Sequence, residues 1–233
     1  MSTNKILNDI NLSAKPYVIY KTSNGFDLFT DFSKKIILSN NNVANFLETI
    51  SSNKKKIKKT DLYIGFFGYE LLNYLIGIKF PKQKTNFFPK GIFYKPETLI
   101  SLSENLSFKT SSTEKKNKQF KININRKNYT KIFNKFKRKI KQGETYQIKI
   151  CTKYKNKSKI DPLDFFCRLS KSNLAPEAFL IKDKNYSVIS CSPETLIEKK
   201  GRSIITKPIA GTLKKNTSLN KSKALQYFRK NIK

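Results

Sequence analysis

Apolar and polar residues in the first hundred positions follow the pattern of short strands separated by turns. Runs of four to six residues rich in aromatic and β-branched side chains are bounded by Ser, Asn, Gly and Pro, which is typical of strands. We predict strands over residues 17–20, 26–29, 35–38, 63–68, 91–94 and 98–102. Two helices are predicted between them, over 43–50 and from 69 to about 76, the first because its apolar positions recur at helical spacing. Gly65 and Gly68 predict a close approach of two backbones.

The second half begins with the clearest helical pattern in the sequence. Five apolar residues fall on one face of residues 126–141, Asn125 is placed to cap the N-terminus, and Gly143 follows the C-terminus. An alternating strand over 146–154 and a helix over 162–169 come next. Four successive strands of an antiparallel meander and a final helix are predicted over 179–182, 186–190, 195–199, 203–206 and 221–230.

These elements predict the α+β class, with antiparallel sheets flanked by helices. We expect residues 1–120 to form an N-terminal portion and residues 121–233 to begin a second domain. The chain is long enough to bury a sizeable core. Its apolar content of 38% fits a folded protein and not a disordered one.

Charge and composition then limit the partners. The formal charge of +32 raises the question of a nucleic-acid partner. However, Lys far outnumbers Arg and is spread along the whole chain, whereas Arg is preferred for bidentate contacts with phosphate or guanine. We therefore interpret the charge as solvated surface. No apolar run reaches the roughly 20 residues of a membrane span, and the N-terminus lacks the apolar segment of a signal peptide, so we expect a cytoplasmic protein.

Cysteine and histidine usage excludes several kinds of site. Cys151, Cys167 and Cys191 are few and widely spaced, and the chain has no His, so a Cys/His zinc site is not expected. We expect reduced thiols. The lack of His also excludes Ser-His-Asp and Cys-His catalysis within these residues.

Two turns near the C-terminal end become informative when they are taken together. Ser192-Pro-Glu194 follows one predicted strand and Pro208-Ile-Ala-Gly-Thr212 follows a predicted hairpin; each alone is typical of an ordinary turn. Upstream lie Gly65-Phe-Phe-Gly-Tyr-Glu70, Gly143-Glu-Thr-Tyr-Gln147 and Asn173-Leu-Ala-Pro176. In this order the segments resemble the chorismate-utilising enzymes, specifically component I of anthranilate synthase and of aminodeoxychorismate synthase. The resemblance is densest over roughly residues 125–212, and it implies the fold of those enzymes.

The resemblance also implies roles for particular residues. Glu194 corresponds to the general acid that protonates the hydroxyl group departing from the chorismate ring. Gly211 and Thr212 correspond to the pair that contacts a chorismate carboxylate. Gln147 stands where water-using relatives carry a Lys that activates water. Because ammonia is already a nucleophile, Gln147 favours the ammonia-using branch of the family.

Ala210 favours anthranilate synthase within that branch, because aminodeoxychorismate synthases typically carry a Lys there, whose amine attacks the ring covalently. Other positions favour the alternative, aminodeoxychorismate synthase. Tyr20-Lys-Thr-Ser23 matches the tryptophan-site segment of anthranilate synthases only at Ser23, and Pro176-Glu-Ala178 matches the second tryptophan-contacting run only at Pro176. Tyr146 and Ala175-Pro176 also favour aminodeoxychorismate synthase. The mismatches argue against feedback inhibition by tryptophan.

The resemblance implies partners that this chain does not supply. A glutamine amidotransferase subunit would hydrolyse glutamine and pass ammonia to the chorismate site. The Mg²⁺-ligating Glu residues and a catalytic His of the family follow the Pro-Ile-Ala-Gly-Thr segment, so we expect the Mg²⁺ ligands to lie beyond Lys233. We therefore expect a truncated product that is inactive alone. An inactive homologue or a basic nucleic-acid-binding module is the alternative from a different class.

Overall fold

A computed structural model of the chain describes residues 2–51, 58–77, 88–108, 119–209, 211–214, 216 and 219–230. The helices are α1 (Thr3–Leu12), α2 (Val43–Ser51), α3 (Leu72–Leu75), α4 (Arg126–Lys141), α5 (Pro162–Ser172) and α6 (Lys221–Lys230). The strands are β1 (Tyr17–Thr22), β2 (Gly25–Ile37), β3 (Ile64–Phe67), β4 (Gly91–Leu102), β5 (Lys121–Ile122), β6 (Tyr154–Lys155), β7 (Glu177–Lys182), β8 (Ser187–Ser192), β9 (Thr195–Lys200) and β10 (Ser203–Lys207). This mixture of helices and antiparallel strands confirms the predicted α+β class.

The chain forms two compact units. One contains residues 1–108 and 162–233, and the other contains residues 109–161. The first unit is built on a six-stranded antiparallel sheet in the order β3-β4-β2-β1-β7-β8. The boundary predicted between residues 120 and 121 separates two parts of the family's longer fold. Because the two compact units describe this chain alone, that boundary stays a prediction.

Both faces of the six-stranded sheet are buried near its centre. Tyr17 and Ile19 of β1 pack with Phe166 of α5 on one face, and Val18 between them packs with Ile92 on the other. Alternate residues of a strand lie on opposite faces, so a strand covered on both sides is apolar at consecutive positions. This is why β1 was recognisable in the sequence as an uninterrupted apolar run.

Helix α1 was not predicted from the sequence. It packs against the same face of the sheet as α5, with Leu7 fully buried and Ile6 and Ile10 partly buried in the same cluster. These three residues recur at helical spacing, which is a sequence signal for a helix.

The predicted pairs of short strands over 26–29 and 35–38, and over 91–94 and 98–102, are wrong: each pair is one long strand. The two long strands, β2 and β4, pair along their whole length, and the pairing register shifts between Phe32 and Lys34. Asp31 has a φ of 50° next to this irregularity, and Pro96 lies opposite Phe32. A bulge accommodates both the left-handed residue and the missing N–H of proline, so the strands bend there without ending.

The glycines predicted to allow close backbone approach do so. Gly65 of β3 faces β4, where an added Cβ atom would lie 1.9 Å from the Ile92 carbonyl oxygen; at Gly68 it would lie 2.2 Å from the Lys90 carbonyl oxygen. Any side chain would therefore collide with backbone at either position. The helix predicted from residue 69 is instead a 3₁₀ turn, Tyr69–Leu71, followed by the single α-turn α3.

The second unit contains α4 and a two-stranded ladder formed by β5 and β6. Helix α4 has the predicted bounds, Asn125 caps it by accepting a hydrogen bond from the Asn128 backbone N–H at 2.9 Å, and Gly143 follows with a φ of 75°. The strand predicted over 146–154 is wrong, because only its end pairs, in β6. A strand requires a neighbour to satisfy its backbone groups, and β5 extends over two residues only.

The four strands predicted as one meander form two separate ladders. Strand β8 is paired with β7 at the edge of the six-stranded sheet, while β9 pairs with β10 in a hairpin of its own. The meander is therefore interrupted between β8 and β9, at Pro193 and Glu194. Helix α6 follows the hairpin with its predicted bounds.

Candidate active site at the Ser-Pro-Glu turn

The interruption between β8 and β9 is a tight polar turn. The Glu194 backbone N–H donates to Ser192 Oγ at 3.3 Å, and Ser192 Oγ donates to the Glu194 carbonyl oxygen at 3.1 Å. Pro193 between them has no N–H to donate and favours such a turn. The turn leaves the Glu194 side chain exposed to solvent, where a bound molecule can reach it.

The Glu194 side chain connects the two segments on which the family resemblance was based. The backbone N–H of Ile209 donates to Glu194 Oε1 at 2.9 Å. Ile209 belongs to the Pro208–Thr212 segment, so a carboxyl of the first segment contacts the backbone of the second. This contact brings two predicted site segments together that are fifteen residues apart in sequence.

The predicted carboxylate-binding pair lies directly beyond that contact. Gly211 has a φ of 80°, a conformation that L side chains rarely adopt, and an added Cβ atom would lie 3.5 Å from the ring of Phe228 in α6. Thr212 is exposed. Ala210, which separates Ile209 from Gly211, lies outside the described residues. The roles of Gly211, Thr212 and Ala210 stay predictions.

Gln147 lies in the other unit of the chain. Its side chain is exposed, and its backbone carbonyl oxygen accepts a hydrogen bond from Thr145 Oγ1 at 3.2 Å. It follows α4 in the segment whose predicted strand does not form. Its catalytic role also stays a prediction.

A hydrogen-bonded carboxylate that was not predicted from the sequence lies beside the turn. Glu177, the first residue of β7, accepts from Thr195 Oγ1 at 2.6 Å through Oε1 and from the Tyr20 hydroxyl at 2.7 Å through Oε2. Burial, together with the hydrogen bond and the charge of Glu177, raises the pKa of Tyr20. The one signal in the sequence was an acidic residue at the start of an apolar strand.

The same contacts join the two segments that were compared with a tryptophan site. Besides the contact between Tyr20 and Glu177, Lys21 Nζ donates to the Ala175 carbonyl oxygen at 2.7 Å. Strands β1 and β7 are paired neighbours, with Tyr20 opposite Phe179. Side chains of Tyr20–Ser23 therefore form hydrogen bonds with residues 175–177 at the start of β7.

Cys191 is the residue before the turn. Burial raises the pKa of its thiol, and the charge of Lys21 offsets this in part. A thiol with a raised pKa is less ionised at neutral pH and is a weaker nucleophile. All three cysteines are free thiols.

The described residues do not fit a metal site. Across these residues, no three Asp, Glu or Cys side chains come close enough together to hold an ion, whereas Mg²⁺ requires several oxygen ligands. The location of the Mg²⁺ ligands beyond Lys233 stays a prediction.

Among the helices of the described ranges, none has the length and apolar character that crossing a membrane requires.

Comparison with known proteins identifies the family. The model of a family described as chorismate binding enzyme matches residues 13–233. Anthranilate synthase component 1 of Buchnera aphidicola subsp. Rhopalosiphum maidis is 29% identical over 220 residues, which cover 78% of this chain and 42% of the relative. The proteins of that name from Haloferax volcanii and Archaeoglobus fulgidus are 30% and 31% identical over 92 and 96 residues, covering 40% and 41% of this chain and 18% and 23% of the relatives.

The chain belongs to the chorismate binding enzymes, and the family predicted from its motifs is confirmed. Its curated relatives include several anthranilate synthases, component 1. It spans about two fifths of the length of the Buchnera relative, which it matches over most of its own length.

Proposed function

We propose that this chain is the part of an anthranilate synthase component I that carries the general acid and one carboxylate contact of the chorismate site. The observation that carries the proposal is the hydrogen bond from the Ile209 N–H to Glu194 Oε1. It holds the proposed acid against the segment proposed to bind the substrate. The names of the curated relatives support the choice of anthranilate synthase.

The proposed reaction converts chorismate and ammonia to anthranilate, pyruvate and water. Glu194, as the protonated acid, gives its proton to the departing ring hydroxyl, which leaves as water when its C–O bond breaks, while ammonia forms the new C–N bond and then loses a proton. In the elimination that follows, the aminated ring carbon loses its proton and the C–O bond between the ring and the enolpyruvyl group breaks. The methylene carbon of that group takes up a proton, which gives pyruvate and the aromatic ring of anthranilate. The exposed position of Glu194 at a turn leaves its carboxyl accessible to a bound ring. A positioned general acid accelerates such a step by about 10²–10⁴-fold.

Gly211 and Thr212 are proposed to hold a chorismate carboxylate. The left-handed backbone at Gly211 suits a residue without a side chain, so that a carboxylate can approach backbone N–H groups closely. The Thr212 hydroxyl is an additional donor. Two adjacent donors of this kind would fix the ring relative to Glu194.

Gln147 and Ala210 define the nucleophile in this proposal. Neither side chain can act as a base or form a covalent bond with the ring, which suits direct addition of ammonia. We propose that a glutamine amidotransferase subunit supplies the ammonia. Mg²⁺ would be held by residues outside those described.

Product analysis tests the proposal in the enzyme that contains this chain. Chorismate and an ammonium salt are supplied without the glutaminase subunit, and anthranilate is followed by its fluorescence while pyruvate is measured separately. We expect both products in equal amounts. Formation of aminodeoxychorismate without pyruvate would overturn the assignment in favour of the alternative that Tyr146 and Ala175-Pro176 favour.

A second outcome would overturn the enzyme proposal altogether. If no aminated product forms, while the protein binds nucleic acid with an affinity that falls steeply as salt rises, the basic binding module becomes the better account. If neither amination nor nucleic-acid binding occurs, an inactive homologue becomes the better account. Ala210→Lys provides a further check, because a lysine amine there is expected to reduce anthranilate formation by competing with ammonia for the ring.

A further inference from the structure

The hairpin of β9 and β10 has one buried residue among those described, Thr195, which is 8% exposed. We propose that Glu177 is a positioning residue that holds the Ser-Pro-Glu turn through Thr195. This inference rests on the proposed function, because it assigns Glu177 to the support of the proposed acid, Glu194.

The geometry places Glu177 between the sheet and the turn. Glu177 lies on β7, inside the six-stranded sheet, and its Oε1 accepts from Thr195 Oγ1 at 2.6 Å. Its Oε2 accepts from the Tyr20 hydroxyl on β1 at 2.7 Å. Because each carboxyl oxygen has its own donor, the orientation of the Glu177 side chain is fixed from two strands.

The strand ladder supports the first residue of the turn only. Ser192, the last residue of β8, is paired with Glu177 of β7, whereas β9 after the turn belongs to a different sheet. The hydrogen bonds between Ser192 and Glu194 connect Glu194 to the sheet from this one side. The bond from Thr195 to Glu177 joins the residue after Glu194 to the sheet directly.

The support reaches the second segment of the site as well. Thr195 is paired with Lys207 of β10, two residues before Ile209, and the Ile209 N–H in turn contacts Glu194. Movement of Thr195 would therefore displace both the Glu194 carboxyl and the Pro208–Thr212 segment. A displacement of about 1 Å at a reacting group can cost about 100-fold in rate.

The first arm of the test measures geometry in residues 1–233 without any reaction. The backbone amide signal of Ile209 is followed by ¹H–¹⁵N NMR in Thr195→Val, which keeps the side-chain shape but removes the donor. We expect the Ile209 signal to move in Thr195→Val and in Glu177→Met, and to return near its original position in Thr195→Ser. Thr206→Val is the matched control, because Thr206 is exposed on β10 and is closer to Ile209 in sequence.

The second arm measures steady-state kinetics in the enzyme that contains this chain. We expect Thr195→Val to lower kcat for anthranilate formation about 10- to 100-fold with KM for chorismate changed less than threefold, and Thr195→Ser to recover most of kcat. A general loss of structure would instead change kcat and KM together and would not be rescued by Ser.

The two arms separate failure of this inference from failure of the proposed function. If Thr195→Val moves the Ile209 signal no more than Thr206→Val does, or leaves kcat unchanged, Glu177 is not a positioning residue. If the unmodified enzyme forms no aminated product, the proposed function fails, and the NMR arm alone decides whether Glu177 holds the turn.

Discussion

The six-stranded sheet and helix α4 both have regular apolar patterns in the sequence, but they differ in how far their apolar residues are buried. In the sheet, Leu28 and Leu180 are fully buried, and α5 contributes the fully buried Phe166 to the same cluster. Helix α4 has no buried residue, and Phe133 on its apolar face is 46% exposed. An apolar pattern therefore predicts the element, whereas burial depends on whether another element covers it.

A groove beside α4 shows the same difference in burial. Phe133, Phe136 and Ile140 line a largely apolar groove of about 310 Å³ together with Ile148 and Ile150 from the segment that follows the helix. In the sheet the equivalent apolar surface is filled by neighbouring side chains. The apolar face of α4 therefore borders a groove that neighbouring side chains do not fill.

Removal of a large aromatic side chain gives the largest expected contrast between the two regions. Phe166→Ala should lower the free energy of unfolding by about 3–5 kcal/mol, because it leaves a cavity where Phe166 packs edge-on to Phe26. Phe133→Ala should cost less than about 1 kcal/mol, since its ring is already half-exposed. Urea denaturation measures both. An equal loss of unfolding free energy in the two variants would show that the apolar face of α4 is buried.

A buried charge gives the next contrast. Asp183 is 4% exposed and accepts hydrogen bonds from Tyr94, from Lys35 Nζ at 2.7 Å and from the Lys184 backbone N–H at 2.6 Å. Asp183→Ala should cost about 2–4 kcal/mol, a value below that of a fully buried pair because Lys35 is partly exposed. In the other unit, Glu144→Ala removes the exposed ion pair with Lys139 and should cost about 0–1 kcal/mol.

The same carboxylate predicts a dependence on pH. Burial alone raises the pKa of Asp183, but the hydrogen bonds from Lys35, Tyr94 and Lys184 outweigh it and hold the pKa below its ordinary value. A lowered pKa stabilises the folded state at pH values above the unfolded pKa, and this stabilisation is lost as the pH falls below about 4. Urea titrations from pH 6 to pH 3 should show a smaller loss in Asp183→Ala than in the original protein. An identical loss would contradict the assignment.

The smallest expected effect concerns the cap of α4. Asn125→Ala removes the acceptor for the Asn128 N–H and should destabilise the helix by about 1 kcal/mol. Circular dichroism during urea denaturation measures the loss. Asn134→Ala, at an exposed position in the middle of the helix, is the matched control and should be neutral or slightly stabilising. A neutral Asn125→Ala would show that α4 does not depend on its cap.

The bounds of an element were predicted correctly where the residues that determine them lie within the element or next to its ends. Helix α4 has its predicted bounds because Asn125 and Gly143 act within one turn of its ends. The long strands β2 and β4 were divided incorrectly, because Asp31 and Pro96 each interrupt a pattern in the sequence but meet at one bulge in space. The strand predicted over 146–154 alternates correctly, yet the pattern cannot indicate whether a neighbouring strand is present.

At the candidate site, the motifs indicated Glu194 and Gly211, and the roles of both residues stay predictions. The structure adds the contact of Glu194 with the Ile209 backbone, which joins the two segments. Glu177 was missed, because its two partners, Tyr20 and Thr195, are 157 and 18 residues away along the chain. Such a network becomes visible only when β1, β7 and β9 have been placed in space.

The most direct test of the central claim is the rate of anthranilate formation by Glu194→Gln in the enzyme that contains this chain. Glu198→Gln is the matched control, because Glu198 lies on the same hairpin and forms ion pairs with Lys200 and Lys207 instead of contacting the second segment. We predict that kcat falls about 10²–10⁴-fold in Glu194→Gln and stays within about twofold in Glu198→Gln. Full activity in Glu194→Gln, or an equal loss in both variants, would contradict the assignment of Glu194 as the general acid.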